Sequence, residues 1–340
     1  MNPFRVWNAF WFRPISARPL GAFRVVIGVL SLVNLALLSV DLDYWLTDQG
    51  ILQGAEARII AGPLRPSPLQ WVQGPTSVRA FVAATAVVAF AFTVGWRTRA
   101  MGALLYLMTL SIHHRNIPTN SGPDNLLLIM LFYLMLSPCG AAYSLDARRS
   151  ARRRGTAAEP LIVPWAQRLI QLHLCLIYFD TAMLKCAGTT WLGGTALHYV
   201  LHNHEVGRFD ISALAQYPLA VNLLTYGGLA VEFALAFFLW FRPTRTWTIA
   251  SGLALHLGVV FLVNVPLFGE LMTACYLTFL DPDELDTMLQ AMNPLNWFRK
   301  ARTVIPRFDR NPRPDVAGLR NGMHSPLHEL EPLDIAYYGD

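Results

Sequence analysis

Charge is scarce in this sequence. Of its 340 residues only 14% are Asp, Glu, Lys or Arg, where a soluble chain carries about a quarter. Together with 54% hydrophobic residues and a mean hydropathy of +0.37, that deficit excludes a disordered chain and argues against an ordinary water-soluble enzyme. Lysine is scarcer still: it occurs only at Lys185 and Lys300, and the other 25 basic residues are arginine. The four cysteines, Cys139, Cys175, Cys186 and Cys275, lack C-x-x-C spacing, so no disulfide framework is expected. A Gly-rich phosphate loop, zinc-finger spacing, G-x-S-x-G, H-E-x-x-H and a basic stripe with interleaved aromatics are all missing. No nucleic-acid partner is therefore expected, despite a formal net charge of +5. The first 19 residues mix Trp7, Trp11, Arg13, Pro14 and Arg18 without a continuous apolar core, so no cleavable signal peptide is expected.

Long apolar runs fill what remains. Leu20–Val40 is long enough to cross a bilayer with one embedded charge, Arg24. Further runs follow at about Val78–Trp96, Ala100–His113, Asn125–Pro138, Trp165–Leu184, Leu224–Phe241, Thr246–Asn264 and Phe268–Leu280. The expectation is an all-α, polytopic integral membrane helix bundle of about eight transmembrane helices. Cytoplasmic loops carry the excess of Lys and Arg. Placing the N-terminus inside puts Arg5, Arg13, Arg18, Arg97, Arg99, the run Arg148 to Arg154, Arg168, Arg242, Arg245 and the tail from Arg299 on that side. Only Arg58, Arg65, Arg79, Arg115, Lys185 and Arg208 then fall outside. Both termini are accordingly expected in the cytoplasm. The expected organisation is a cytoplasmic segment 1–19, a transmembrane domain 20–282 and a Pro-containing cytoplasmic tail 283–340. The arginine run serves first as a topology determinant and second as a potential contact for anionic lipid heads.

Ionisable groups within membrane segments are costly and mark functional positions by default. Here they are Arg24, His173, Asp180, Lys185, Glu232, His256 and Glu270. Lys185 stands out because an amine, unlike a guanidinium, can lose its proton when desolvated and act as a base. On a helix it shares a polar stripe with Gln171, Tyr178 and Thr181, whereas Asp180 lies on the face of His173. The other reading of Lys185 is a side chain snorkelling to the outer interface. Glu232 and His256 sit mid-span, either in a pocket or as a buried pair joining helices. His113 and His114 end the third apolar run, at an interface or at the mouth of a pocket. His198, His202, His204 and Glu205 have partly helical spacing, but a third ligand and its supporting shell are not legible, so no metal is assigned.

Several stretches resemble the bacterial HTTM family, the horizontally transferred transmembrane domain related to vitamin K-dependent gamma-carboxylase. They are Asp43-Tyr-Trp-Leu-Thr-Asp-Gln-Gly50, Ser111-Ile-His-His-Arg-Asn116 leading to Ser144-Leu-Asp146, and Tyr178-Phe-Asp-Thr-Ala-Met-Leu-Lys185 followed by Trp191-Leu-Gly-Gly194. His256-Leu-Gly, Pro266-Leu-Phe-Gly269 and Asp281-Pro282 complete the set. The resemblance spans about residues 16 to 282 and implies a multi-helix membrane fold in the bacterial inner membrane. In the carboxylase, a lysine matching Lys185 is the base that deprotonates reduced vitamin K on the lumenal side.

What the resemblance implies is a quinone-dependent, carboxylase-like membrane enzyme. Lys185 would be the base, with Tyr178 and His256 beside it. A reduced quinone of vitamin K or menaquinone type would lie near the outer leaflet among Thr181, Glu232, His113, His114 and Asn120, and the acceptor would be an exported peptide or lipid. Two departures stand against a full equivalence. The carboxylase has an Asn-His pair where this chain reads Asn120-Ser-Gly-Pro-Asp-Asn125, so His113 or His114 would have to replace the histidine in space. The lumenal region that binds carboxylase substrates is also missing, so carboxylation of clotting-factor-like proteins is not expected. The alternative is a non-catalytic membrane protein that binds a lipid or escorts an exported peptide.

Overall fold

Apolar runs of about 20 residues satisfy their own backbone hydrogen bonds only as helices once water is excluded, and helices dominate the computed structural model of the chain. It describes residues 2–72, 74–155, 159–203, 207–209 and 212–292. A short helix α1 (Pro3–Phe12) leads through strand β1 (Ile15–Ser16) into α2 (Arg18–Val40). The small helices α3 (Leu42–Leu46) and α4 (Gly54–Ala61) precede a hairpin of α5 (Pro75–Val94) and α6 (Thr98–Arg115). Next come α7 (Gly122–Leu136), the arginine-rich α8 (Leu145–Arg154), and strand β2 (Leu161–Ile162), whose Ile162 pairs with Ile15 in an antiparallel two-residue ladder. The second half contains α9 (Trp165–Cys186), short helices α10 (Thr189–Leu192) and α11 (Ala196–Leu201), then α12 (Pro218–Phe237), α13 (Arg242–Leu262), α14 (Phe268–Cys275) and α15 (Pro282–Met292).

Local chemistry sets the ends of these helices. Proline stands in the first turn of α2, α5, α7, α12 and α13, where its missing N–H costs nothing. Gly95, at φ 74°, ends α5, and a Cβ there would meet Ser144 Cβ at 2.2 Å. Asp146 then caps α6: its carboxylate accepts from Thr98 N at 2.7 Å, Thr98 Oγ1 at 2.8 Å and Arg97 N at 3.0 Å. Burial acts to raise the Asp146 carboxyl, but these hydrogen bonds outweigh it and hold it below the usual carboxylate value.

Among the described residues, five helical stretches are long and apolar enough to span a membrane: Arg18–Val40, Pro75–Val94, Trp165–Cys186, Pro218–Trp240 and Arg242–Leu262. The other three apolar runs are also helical. Gly122–Leu136 is a shorter apolar helix, α6 is more polar, and α14 is short and continues into a 3-10 turn at Tyr276–Phe279. Outward-facing residues such as Val33, Leu37, Val87, Phe90, Leu176, Leu223 and Phe261 are exposed. So continuous an apolar surface belongs in lipid rather than water.

The loops sort into two ends. At one, Arg18 pairs with Asp286, Arg242 and Arg245 meet Asp281, and Gln167 and Gln171 donate to Thr278 O. At the other, Arg79 pairs with Asp43 and Arg115 with Asp48.

Two expectations change. Arg24 is fully buried, yet it is a structural rivet: its guanidinium donates to the carbonyls of Phe92, Thr93, Cys139 and Tyr143. The tail expected from residue 283 begins instead with α15, whose Leu285 is buried and whose Glu284 and Asp286 pair with Arg245 and Arg18. The compact bundle extends through Leu289, and α15 ends at Met292. The remainder of the expected tail lies outside the described residues. Cys139, Cys175, Cys186 and Cys275 are all free.

Candidate functional site

Tyr178, Thr181 and Lys185 follow one another at intervals of three and four on α9 and therefore share a face. That face packs against α12, bringing Lys185 against Glu232, with which it forms an ion pair. The Lys185 ammonium also lies 4.7 Å from the ring centre of Trp191 in α10. From Trp165 the helix rises about 30 Å to reach Lys185, which places the pair at the end of the bundle opposite α8. Asp180 is exposed on another face, in keeping with its 140° offset from the lysine.

A second polar group forms beside the first. The Tyr178 hydroxyl is 2.6 Å from His256 Nε2 on α13 and 2.6 Å from the Tyr276 hydroxyl just after α14. All three residues are buried. When Tyr178 donates to Nε2, Tyr276 donates to Tyr178 and the histidine hydrogen resides on Nδ1. Room for this arrangement comes from Gly252, one turn before His256: a Cβ at that position would lie 2.4 Å from the Tyr276 hydroxyl. Gln167 and Gln171 hold the turn carrying Tyr276 by donating, each at 2.6 Å, to Thr278 O.

Lys185, Trp191 and Glu232 from the first group and Tyr178 and His256 from the second line one cavity of about 420 Å³, with Tyr276 behind them. Its walls are mainly apolar, from Ile177, Leu224, Leu255, Val259, Phe268 and Met272, with Gly228 and Gly258 facing it without side chains. Two buried polar atoms of lining residues have no hydrogen-bond partner, Glu232 Oε2 and His256 Nδ1. An unmet donor or acceptor in an apolar setting is costly. A hydroxyl on an apolar body would pair with the carboxylate oxygen, and a hydroxyl or carbonyl with the Nδ1 hydrogen, once a side-chain rotation turns these atoms to the cavity. A largely apolar cavity with a few convergent polar groups is also the usual form of a small-molecule site.

Of the residues singled out from sequence, Lys185, His256, Tyr178, Thr181 and Glu232 converge here. Thr181 Oγ1 donates to Ile177 O at 2.9 Å. His113, His114 and Asn120 do not line this cavity. They gather where α6 ends: His113 Nε2 is 4.0 Å from Asp124, Asn120 donates to His113 O at 3.1 Å, and His114 Nδ1 is 3.1 Å from Pro66 O. The suggested replacement of the missing carboxylase histidine by His113 or His114 is thus not achieved in this cavity, because the His113 ring faces Asp124 in the first turn of α7 and the His114 ring the Pro66 carbonyl. His173 lies 3.3 Å from the Tyr133 hydroxyl, also away from it. Among the described residues no group of three His, Cys, Asp or Glu is placed to hold a metal. His198 and His202 stack at 4.3 Å, while His204 and Glu205 lie outside the described residues. Tyr276 and Trp191 were not recognised as site residues from sequence. Nothing in the linear pattern connects Tyr276 with Tyr178, 98 residues away.

The sequence model of the HTTM domain matches residues 12–283, which includes every residue lining the cavity. The chain is similar to the uncharacterized protein YitO of Bacillus subtilis strain 168, with 21% identity over 217 residues, covering 61% of this chain and 68% of the relative. No solved structure matches.

Proposed function

The chain belongs to the HTTM domain family, and from that premise we propose that it is a membrane enzyme of the kind related to vitamin K-dependent gamma-carboxylase, acting on a reduced quinone-type molecule held in the Lys185 cavity. One observation carries the reading: the only lysine among the described residues sits, paired with Glu232, in a largely apolar cavity beside a Tyr276–Tyr178–His256 chain. The arginine distribution supports eight membrane segments with both termini in the cytoplasm of a bacterium and Lys185 near the outer leaflet.

The residues fit such a molecule. The apolar walls would take a ring and the start of an isoprenoid tail, and Glu232 and His256 would hold its oxygens. A bound reduced quinone supplies the reducing equivalents for chemistry with oxygen. The chain's own residues orient it, keep water away and move a proton. An amine takes up a proton only after releasing one, and Glu232 is placed to accept the proton that Lys185 gives up. The amine is then free to act as a base toward a hydroxyl in the cavity. Tyr178 and His256 would help to orient the ligand. An exported peptide or a lipid is the final acceptor.

The ion pair itself favours one competing reading, in which Lys185 stays charged and binds an anionic or carbonyl-bearing ligand without catalysis. Lys185→Arg separates the two, since it retains the charge and removes the basicity. Purified wild type and variant are incubated with reduced menaquinone under air, and the quinone products are read by mass spectrometry. Formation of the epoxide by wild type alone supports the enzyme. Equal turnover by the arginine variant rules out a Lys185 base. Retention of a co-purified ligand by both proteins without turnover in either favours the binding role.

A further inference from the structure

At the end of the bundle opposite the Lys185 cavity, α8 carries Arg148, Arg149, Arg152, Arg153 and Arg154 within ten residues and buries none of them. Among the described residues, no carboxylate lies within ion-pair distance of any of these five, nor of Arg97 and Arg99 at the start of α6. Arginines that only marked topology would need no particular arrangement. Three of these converge: Arg97 and Arg99 from α6 and Arg154 from α8 line one groove of about 860 Å³, together with the hydroxyl residues Thr98 and Ser150.

Two acids, Asp146 and Glu159, also line the groove, and both are engaged. Asp146 is committed to the amides of Arg97 and Thr98, so the N-terminus of α6 is already neutralised. Glu159 accepts from Ser16 Oγ and lies 4.0 Å from Arg18 Nη1. The guanidiniums are therefore left to bind an external anion, and their planar forks suit phosphate oxygens.

The same end of the bundle bears a membrane-interface marker. Helix α1 exposes Phe4, Trp7 and Phe12 while Phe10 packs over the Arg168 guanidinium. An amphipathic helix with outward aromatics lies at the level of lipid headgroups, which makes a lipid the source of the phosphate. We propose that the groove between α6 and α8 is a binding site for one anionic glycerophospholipid, its phosphodiester held by Arg99 from one side and Arg154 from the other. The site is separate from the Lys185 cavity and does not depend on the chemistry proposed there.

The test uses the full-length protein in detergent, titrated with dioleoyl-phosphatidylglycerol or dioleoyl-phosphatidylcholine and read by native mass spectrometry. Free inorganic phosphate and soluble glycerophosphoglycerol serve as parallel probes. One phosphatidylglycerol is expected to bind in preference to phosphatidylcholine. The pair Arg99→Gln and Arg154→Gln is expected to weaken it about thirtyfold, while Arg152→Gln with Arg153→Gln, which removes the same two charges outside the groove, changes it by less than about threefold. Arg99→Lys with Arg154→Lys keeps both charges but not the guanidinium forks, and it is expected to bind less tightly than wild type and more tightly than the glutamine pair; binding equal to wild type overturns the part given to the forks. Equal losses in the two glutamine pairs mean diffuse attraction to a basic surface and overturn the site. Absence of preference over phosphatidylcholine, or equally tight binding of the soluble phosphates, overturns the lipid assignment.

Discussion

Lys185 and Glu232, 47 residues apart in the chain, form an ion pair across the contact between α9 and α12. Their side chains are 26% and 11% exposed, so the pair borders the cavity instead of lying sealed in the core. Its energetic role follows from that position. Either charge left alone in an apolar wall is poorly solvated, whereas the two together neutralise one another.

Removing one partner is therefore expected to cost more than removing both. Lys185→Met or Glu232→Leu alone lowers stability by about 2 kcal/mol, discounted from the fully buried case for partial exposure, and the double variant by clearly less than the sum. Thermal unfolding of the four proteins in one detergent measures this coupling. Additive losses would show that the pair is not formed.

Tyr178 connects Tyr276 with His256 through two contacts of 2.6 Å. Tyr178→Phe leaves both neighbours without that partner in a buried setting, an expected loss of about 1–3 kcal/mol. Retention of any ligand that co-purifies with the wild type should fall in parallel. If stability and retention both stay unchanged, Tyr178 does not organise the cavity.

Gly252→Ala tests the same chain from the opposite direction. Alanine is favoured over glycine inside a helix by about 1 kcal/mol, yet here its Cβ would lie 2.4 Å from the Tyr276 hydroxyl. The expected outcome is net destabilisation with loss of the Tyr178–Tyr276 contact. A more stable, fully active variant would mean that Tyr276 has space to retreat.

Asp146 should make stability sensitive to acid. Its carboxyl is held below the ordinary value in the folded protein, so its contribution is present above the unfolded value of about 3.9 and is lost as pH falls through the lower folded value. Asp146→Asn removes about 1 kcal/mol of capping at neutral pH. It also flattens the fall in melting temperature as the pH drops below about 4. Parallel pH profiles for wild type and variant would refute this role.

The helical bundle was legible because the bilayer constrains composition so strongly. Spans such as Leu20–Val40 and Trp165–Leu184 can bury their backbone groups in lipid only as helices, and the structure has helices at all eight apolar runs. The shorter runs were harder to interpret: α6 carries polar residues, and α14 breaks into a 3-10 turn at Tyr276. Part of the site was legible through the stripe Tyr178, Thr181 and Lys185, which needs only helical geometry. Arg24 was misleading because an embedded charge reads the same whether it binds a ligand or, as here, four backbone carbonyls.

Local composition and the 3.6-residue period were enough to specify the class of fold, the polar face of α9 and the rarity that makes Lys185 conspicuous. Packing between helices is what makes Glu232 the partner of Lys185, brings Tyr276 and His256 together on Tyr178, and gathers His113, His114 and Asn120 elsewhere. Those pairings join separate helices. They depend on which faces pack together and on small residues such as Gly252 that let them approach, and no spacing within one helix specifies either.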